Sequence, residues 1–241
     1  MPPILALEKI SKRFGAVVVA SEIDLVAQAG EALGIIGPNG AGKTTLFGIM
    51  TGTIRPDAGR VLFAGEDIPR LTPEQRCRGG IARAFQVPQP FAGMTVFENL
   101  VVAAAFGRGR RERDVYQSCG DILEQCGLAA KANRLAGALT LLDRKRLELA
   151  RAVAAKPDLL LLDEIGGGLT DAEASELVGT IGELRRRNIG IVWIEHIVHV
   201  LVRVANRLIC MDAGRIIADG KPEAVMADPE VVRAYLGGGP K

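Results

Sequence analysis

The residues Gly37-Pro38-Asn39-Gly40-Ala41-Gly42-Lys43-Thr44-Thr45 fit the pattern G-x-x-x-x-G-K-[ST], directly after the apolar run Leu33-Gly34-Ile35-Ile36. This order predicts a strand, a glycine loop and a helix running through about Met50. Glycines at these spacings let successive backbone amides turn inward around a phosphate chain and deliver it to a helix N-terminus, where free N–H groups and the helix dipole favour negative charge. Lys43 would reach the outer phosphates, and the Thr44 hydroxyl would hold magnesium. The predicted ligand is a nucleoside triphosphate. A plain glycine-rich turn is the bland alternative, and the flanking apolar run and helix count against it.

Two further sets of residues suit the same chemistry. Leu159 to Leu162 form a fully apolar run that ends in Asp163-Glu164. Alone, an acidic pair after such a run is an ordinary strand exit. Behind a phosphate loop, Asp163 can hold the magnesium shell and Glu164 can orient water or accept its proton. The chain has two histidines, His196 and His199. His196 follows the apolar run Gly190 to Ile194 and can donate to a terminal phosphate, whereas His199, three residues further on, reads as a surface or packing residue.

These groups need strands to carry them. Ile4 to Ile10, Ala16 to Leu25, Gly59 to Ala64, Ile81 to Phe85, Leu159 to Leu162 and Gly190 to Ile194 read as strands, and Asp212-Ala213-Gly214 as a hairpin turn between Leu208–Met211 and Arg215–Ala218. Pro88, Pro90 and Gly93 mark a boundary, after which the pattern turns helical. Thr95 and Glu98 are spaced as a capping box, as are Thr170 and Glu173, the latter opening a helix to Arg187. A helix from Asp114 to Cys126 and another from Leu147, closed by Pro157, complete a helical segment. The basic run from Arg108 to Arg113 reads as a solvated connection within it. The fold class predicted is α/β, mainly parallel, as a single domain over residues 4–237, with a core at about 4–90 and 156–237 and a helical insertion at about 91–155.

Composition excludes several classes. Hydrophobic residues make up 48% and aromatic residues 4% of 241, which suits buried aliphatic strands under helices. Thirty basic against 28 acidic residues give a net charge of +2, with no basic excess to advertise nucleic acid. Cys77, Cys119, Cys126 and Cys210 form no C-x-x-C pair and read as free thiols rather than zinc ligands. There is no signal-peptide pattern and no apolar window long enough to span a bilayer, so any tie to a membrane is expected to run through a partner.

Taken together, the phosphate loop, Gln86 after its strand, the LLLLDE segment and His196, in this order and spacing, resemble the ATP-binding subunits of ABC transporters over essentially the whole chain. The resemblance implies a P-loop core with an N-terminal antiparallel region, ATP and Mg2+ as ligands, and hydrolysis coupled to transport. By resemblance, Gln86 touches both magnesium and the membrane partner, and Phe14 takes the position that stacks on adenine. Beyond transmembrane permeases and, indirectly, a substrate-binding protein, it implies a second ATP-binding subunit closing over two nucleotides, with no nucleic acid, at the cytoplasmic face of the inner membrane.

The segments Met94–Leu100, Arg144–Arg151 and Asp228–Gly237 are similar to importers of branched-chain amino acids. Exporters of lipid or lipopolysaccharide share several of these features. A soluble ABC ATPase acting on nucleic acid or ribosomes is the rival of another class, and it fits poorly with one cassette and a near-neutral charge. A P-loop kinase would leave Gln86 and His196 unused.

Three positions depart from the family pattern. The signature segment that meets the opposite subunit's γ-phosphate reads Leu139-Thr140-Leu141-Leu142-Asp143, and Ile165 and Thr170 replace the usual proline and aspartate. Asp143 either adds negative charge against that phosphate, which implies pairing with a paralogue of better signature, or caps its own helix.

Overall fold

The computed structural model describes residues 2–185 and 188–236. The expected helix end at Arg186 and Arg187, and Gly237, lie outside them. A four-stranded sheet is built from β1 (Leu5–Phe14), β2 (Val17–Ala27), β4 (Ala58–Phe63) and β5 (Glu66–Asp67) in the order β2-β1-β4-β5. β1 pairs antiparallel with β2 and β4, and β4 with β5. Between β2 and β4 lie β3 (Ala32–Ile36) and α1 (Lys43–Thr51). The expected strands run further than their apolar patterns suggest, to Phe14 and Ala27, because antiparallel pairing continues into half-exposed residues.

The second sheet holds β3, β6 (Ile81–Ala84), β7 (Leu159–Asp163), β8 (Gly190–Ile194), β9 (Arg207–Asp212) and β10 (Arg215–Gly220), in the order β10-β9-β3-β8-β7-β6. Every pairing from β9 to β6 is parallel, and only β10 runs against its neighbour. Ala213 and Gly214, at φ 44 and 76, turn the β9–β10 hairpin with two left-handed residues, as a tight right-twisted hairpin requires.

Both faces of this sheet are covered, so its strands read as unbroken apolar runs. Leu159, Leu161, Val192, Ile194, Ile209 and Met211 enter one core, shared with α1 and the antiparallel sheet. Leu160, Leu162, Ile191, Trp193, Leu208 and Cys210 enter the other, under the helices. Those helices include α3 (Val96–Gly107), α4 (Tyr116–Gln125), α5 (Leu141–Ala154) and α6 (Asp171–Arg185). α3 and α6 open with the capping boxes that their spacing predicts, Thr95 with Glu98 and Thr170 with Glu173. α5 begins six residues before the expected Leu147, because the Thr140 hydroxyl accepts from the Asp143 N–H and starts the helix there. Short helices α7 (Val198–Leu201), α8 (Pro222–Met226) and α9 (Pro229–Leu236) follow in the last third of the chain.

A buried arginine fixes the far end of α1. Arg76, on α2 (Pro73–Gly79), is 2% exposed. Its guanidinium donates to the carbonyls of Ile49 at 2.6 Å, Met50 at 2.9 Å and Ile68 at 2.8 Å. Two of these belong to the last turn of α1, where carbonyls lack helical partners and the dipole favours a cation. Arg76→Met removes the cation and its hydrogen bonds, leaving the buried Met50 carbonyl without a side-chain donor, so it is expected to cost about 2 to 4 kcal/mol of stability. Urea unfolding would show this as a lower midpoint at unchanged slope, and a loss under about 0.5 kcal/mol would mean that the cap is dispensable.

Candidate functional site

β3, β8, β7 and β6 lie side by side and parallel, so their C-terminal ends share one edge of the sheet. In open α/β sheets that edge is where ligands bind. It carries, in spatial order, the loop from Gly37 to Gly42, His196, Asp163-Glu164 and Gln86. A recess of about 200 Å³ opens there, lined by Val19, the residues from Asn39 to Thr45, Glu164 and His196.

Two glycines in the loop admit no side chain. Gly37 has φ 148, and a Cβ on it would lie 2.1 Å from the Met211 carbonyl oxygen; Gly42 has φ 100, and a Cβ would lie 2.1 Å from that of Val19. Behind them Lys43 is 5% exposed and donates to the carbonyls of Gly37 at 2.7 Å and Pro38 at 3.0 Å. Burial lowers its pKa, with Glu164 and Cys210 acting the other way. No carboxylate among the described residues pairs with it. A desolvated cation held only by two carbonyls, under a rim of free amides at the start of α1, is suited to an incoming polyanion.

Asp163 ends β7 as a buried carboxylate paired with Arg83 of β6. The next residue, Glu164, turns the chain with φ 46, a left-handed conformation that costs about 1 to 2 kcal/mol for a residue with a Cβ. Its N–H still bonds to the Ile194 carbonyl at 2.9 Å. This turn aims the carboxylate across the edge, where Oε1 lies 2.7 Å from His196 Nε2 and Oε2 lies 2.5 Å from Gln86 Nε2. Glu195 stands beneath them, 1% exposed, and its carboxylate accepts from the N–H groups of Gly166 at 2.7 Å and His196 at 3.1 Å. Burial pushes its pKa up, against those hydrogen bonds. One carboxylate thus fastens the loop after Glu164 to the residue facing Glu164.

The structure brings Asn39, Gly40, Ala41, Gly42, Lys43, Thr44, Thr45, Glu164 and His196 around one recess, with Gln86 bonded to Glu164 at its rim. Gly37, Pro38 and Asp163 lie behind that lining. Phe14 stands outside it at the end of β1, half exposed, with Lys12 Nζ 5.3 Å from its ring centre. Thr140, Leu141, Leu142 and Asp143 lie at the start of α5, also away from the recess. His199 is exposed, with a long 3.8 Å approach to Asp171.

The sequence model of the family described as ABC transporter matches residues 20–166 of this chain. The chain belongs to the ABC transporter family. It is an ATP-binding subunit of that family, an ATPase with a P-loop core, and a membrane transporter is what such subunits power. A second family, described as branched-chain amino acid ATP-binding cassette transporter, matches residues 215–240. Among curated relatives, the high-affinity branched-chain amino acid transport ATP-binding protein BraF of Pseudomonas aeruginosa is 34% identical, covering 98% of each chain. The lipopolysaccharide export system ATP-binding protein LptB of Haemophilus influenzae is 35% identical, covering 97% of each. The crystal structure of the ADP conformation of MJ1267, an ATP-binding cassette of an ABC transporter, superposes with a TM-score of 0.90 at 32% identity, covering 98% of this chain and 100% of that one.

Within this ABC cassette, α5 grips the loop after β6 with three buried or half-buried charges spaced along one face. Lys145 Nζ donates to the Gln86 carbonyl at 3.3 Å, Glu148 accepts from the Phe85 N–H at 3.3 Å, and Arg151 donates to the Gln89 carbonyl at 2.9 Å. Burial lowers the pKa of Lys145, while Glu195 and Glu164 act to raise it, so its charge belongs to the same cluster. Neither Lys145 nor Glu195 stands out as a site residue in the sequence. Lys145 sits in a segment whose only signal is resemblance, and Glu195 is masked by the histidine beside it.

Thr140 caps α5, and the Asp143 carboxylate, in place of pointing outward as a capping acid, turns inward from the first turn. The side chain is 3% exposed and pairs with Lys131 at 2.5 Å and the Thr140 hydroxyl at 2.9 Å, with Arg146 at 3.7 Å. Burial alone would raise its pKa, but Lys131, Thr140 and Arg146 together hold it below the ordinary aspartate value. A depressed carboxylate pKa contributes stability above the unfolded value, about 3.9, and loses it as pH falls through the folded one. Lys131→Met is expected to raise the pH midpoint of acid unfolding followed by circular dichroism. The shift should vanish when Asp143→Asn is combined with it; an equal shift in that background would place the effect elsewhere.

Proposed function

We propose that this chain hydrolyses ATP with Glu164 as the base, and the observation that carries the reading is the Glu164 carboxylate held between His196 and Gln86 on the rim of the phosphate loop. Glu164 orients water and takes its proton, and His196 donates to the γ-phosphate. Lys43 exchanges its two carbonyls for the outer phosphates, a charge-assisted and therefore stronger partner. Phe14 is the aromatic surface offered to adenine.

Thr44, Gln86 and Asp163, the last through water, form a hydroxyl, amide and carboxylate set that suits magnesium. No group of three His, Cys, Asp or Glu residues among the described ones makes a metal cage. Magnesium supplies charge neutralisation on the phosphates. Glu164→Gln is expected to keep ATP binding and to lower turnover by at least about 100-fold. Hydrolysis within a few-fold of wild type would remove Glu164 from the role of base.

The transport reading is uptake of branched-chain or related amino acids. The C-terminal match over residues 215–240 and the likeness to BraF support it. The likeness to LptB keeps lipopolysaccharide export as the second reading. We further infer one domain over 4–237, with residues 91–155 as a helical lobe, supported by the packing of α3 against α4 and α5. Two such subunits, identical or paralogous, close over two ATP molecules, each meeting Thr140, Leu141, Leu142 and Asp143 of the other. Closure moves the membrane subunits because ATP favours the closed pair.

No helix among the described residues is long and apolar enough to cross a membrane. The likeness to transporter subunits supports a peripheral place, on permeases at the cytoplasmic face of the inner membrane, with a substrate-binding protein reached through them. The surface offered to a permease is an apolar groove of about 540 Å³, lined by Phe85, Phe91, Val102 and Phe106 beside the Gln86 loop. Phe106 is 70% exposed, and a contiguous patch of this kind marks an interaction site. Cells lacking the chain should lose leucine uptake and recover it with wild type but not with Phe106→Asp, while the purified variant still hydrolyses ATP. Normal leucine uptake in the deletion, with a defect in the outer-membrane lipid instead, would favour export.

A further inference from the structure

The phosphate loop is held from behind by the C-terminal helix. Gly37 is buried, and its N–H donates to the hydroxyl of Tyr235, 198 residues away, at 2.8 Å. Its carbonyl accepts from Lys43 Nζ at 2.7 Å. Gly37 is therefore held through both peptides that flank it, by a phenol on its N–H and by a cation on its carbonyl. α9 is built to present that phenol. Asp228 accepts from the Glu230 N–H at 2.7 Å and Pro229 opens the helix. Val231, one turn before Tyr235 on the same face, is 1% exposed in the helix-side core. Burial pushes the Tyr235 pKa up, with the Gly37 N–H acting the other way, so the hydroxyl is neutral near pH 7.

We propose that Tyr235 is a positioning residue of the nucleotide site: its hydroxyl keeps Gly37 in place by its N–H when Lys43 leaves the Gly37 carbonyl for the phosphates. This rests on the reading of Lys43 as a phosphate ligand. Without nucleotide, both holds restrain Gly37, one from each side of its Cα. With nucleotide, Lys43 is withdrawn from the Gly37 carbonyl, and Tyr235 becomes the remaining side-chain hold on a glycine whose backbone has no Cβ to restrain it. The bound state thus depends on the hydroxyl more than the free state does. A neutral hydrogen bond that matters in one state only is worth about three- to tenfold in affinity. The match of residues 215–240 to a subgroup family thereby acquires a physical task.

Tyr235→Phe deletes the hydroxyl and keeps the ring and the packing of α9. In the purified full chain, titration calorimetry with ADP should show a Kd raised about three- to tenfold, and KM for ATP should rise similarly while kcat falls less than twofold. Hydrogen exchange of the Gly37 amide, followed by NMR on glycine-labelled protein, should speed up by about tenfold or more. A Kd within 1.5-fold of wild type, or a fall in kcat at unchanged KM, overturns the proposal. Lys43→Ala separates it from the reading beneath. If that variant binds ADP like wild type, the phosphate-loop reading fails; if it loses ADP while Tyr235→Phe does not, only the role of Tyr235 fails.

Discussion

The site exists in only one register of the central sheet. Asp163 pairs with Ile194, Leu162 with Trp193 and Ala84 with Leu162, so that Glu164, His196 and Gln86 leave their strands at one level. A slip of one residue would turn every side chain of a strand to the other face. For the four leucines of β7 that slip costs little in burial, because both faces of the sheet are apolar and both would still receive leucine. The apolar run therefore specifies a strand without specifying its alignment. Alignment comes from polar contacts at the strand ends. The Gly80 carbonyl accepts from the N–H groups of Asp158 and Leu159, the Gly190 N–H bonds to the Asp158 carbonyl, and the Glu164 N–H bonds to Ile194.

From that alignment follows a second constraint, the concentration of charge in a place that excludes water. Lys43, Asp163, Glu195, Lys145 and Glu148 are all nearly inaccessible. A buried charge costs several kcal/mol unless it is paired or hydrogen-bonded. Each here has partners, many of them main-chain atoms: the Gly37 and Pro38 carbonyls, the Gly166 and His196 amides, the Gln86 carbonyl and the Phe85 amide. Side chains that hold main chain make loops rigid, and rigid loops keep donors in place before a ligand arrives. The bonds from Lys145, Glu148 and Arg151 tie the Gln86 loop to α5.

What could be read from the sequence follows the same division. The strands, the glycine loop, the acidic pair and the histidine were legible because each is local, a short pattern of residue types next to an apolar run. Both capping boxes were legible for the same reason. The beginning of α5 was harder, since Thr140 as cap was hidden inside a segment whose family pattern it departs from. Arg76, Lys145, Glu195 and Tyr235 were not legible as structural groups at all. Their partners are backbone atoms, most of them far away in sequence, and a backbone atom has no residue type to recognise.

The Glu195 contact also limits how this protein can vary. Gly166 lies so close to that carboxylate that a Cβ would stand 2.8 Å from Oε1. Even alanine there needs Glu195 to retreat, and a retreat releases the Gly166 and His196 amides together. An acid one methylene shorter at 195 would leave room for a side chain at 166, at the expense of its reach to both amides. The two positions, 29 residues apart, are therefore expected to change as a pair during divergence, with a mutational path that passes through a poorly held intermediate. The loop between Glu164 and α6 is free to drift in sequence only as far as its tether permits.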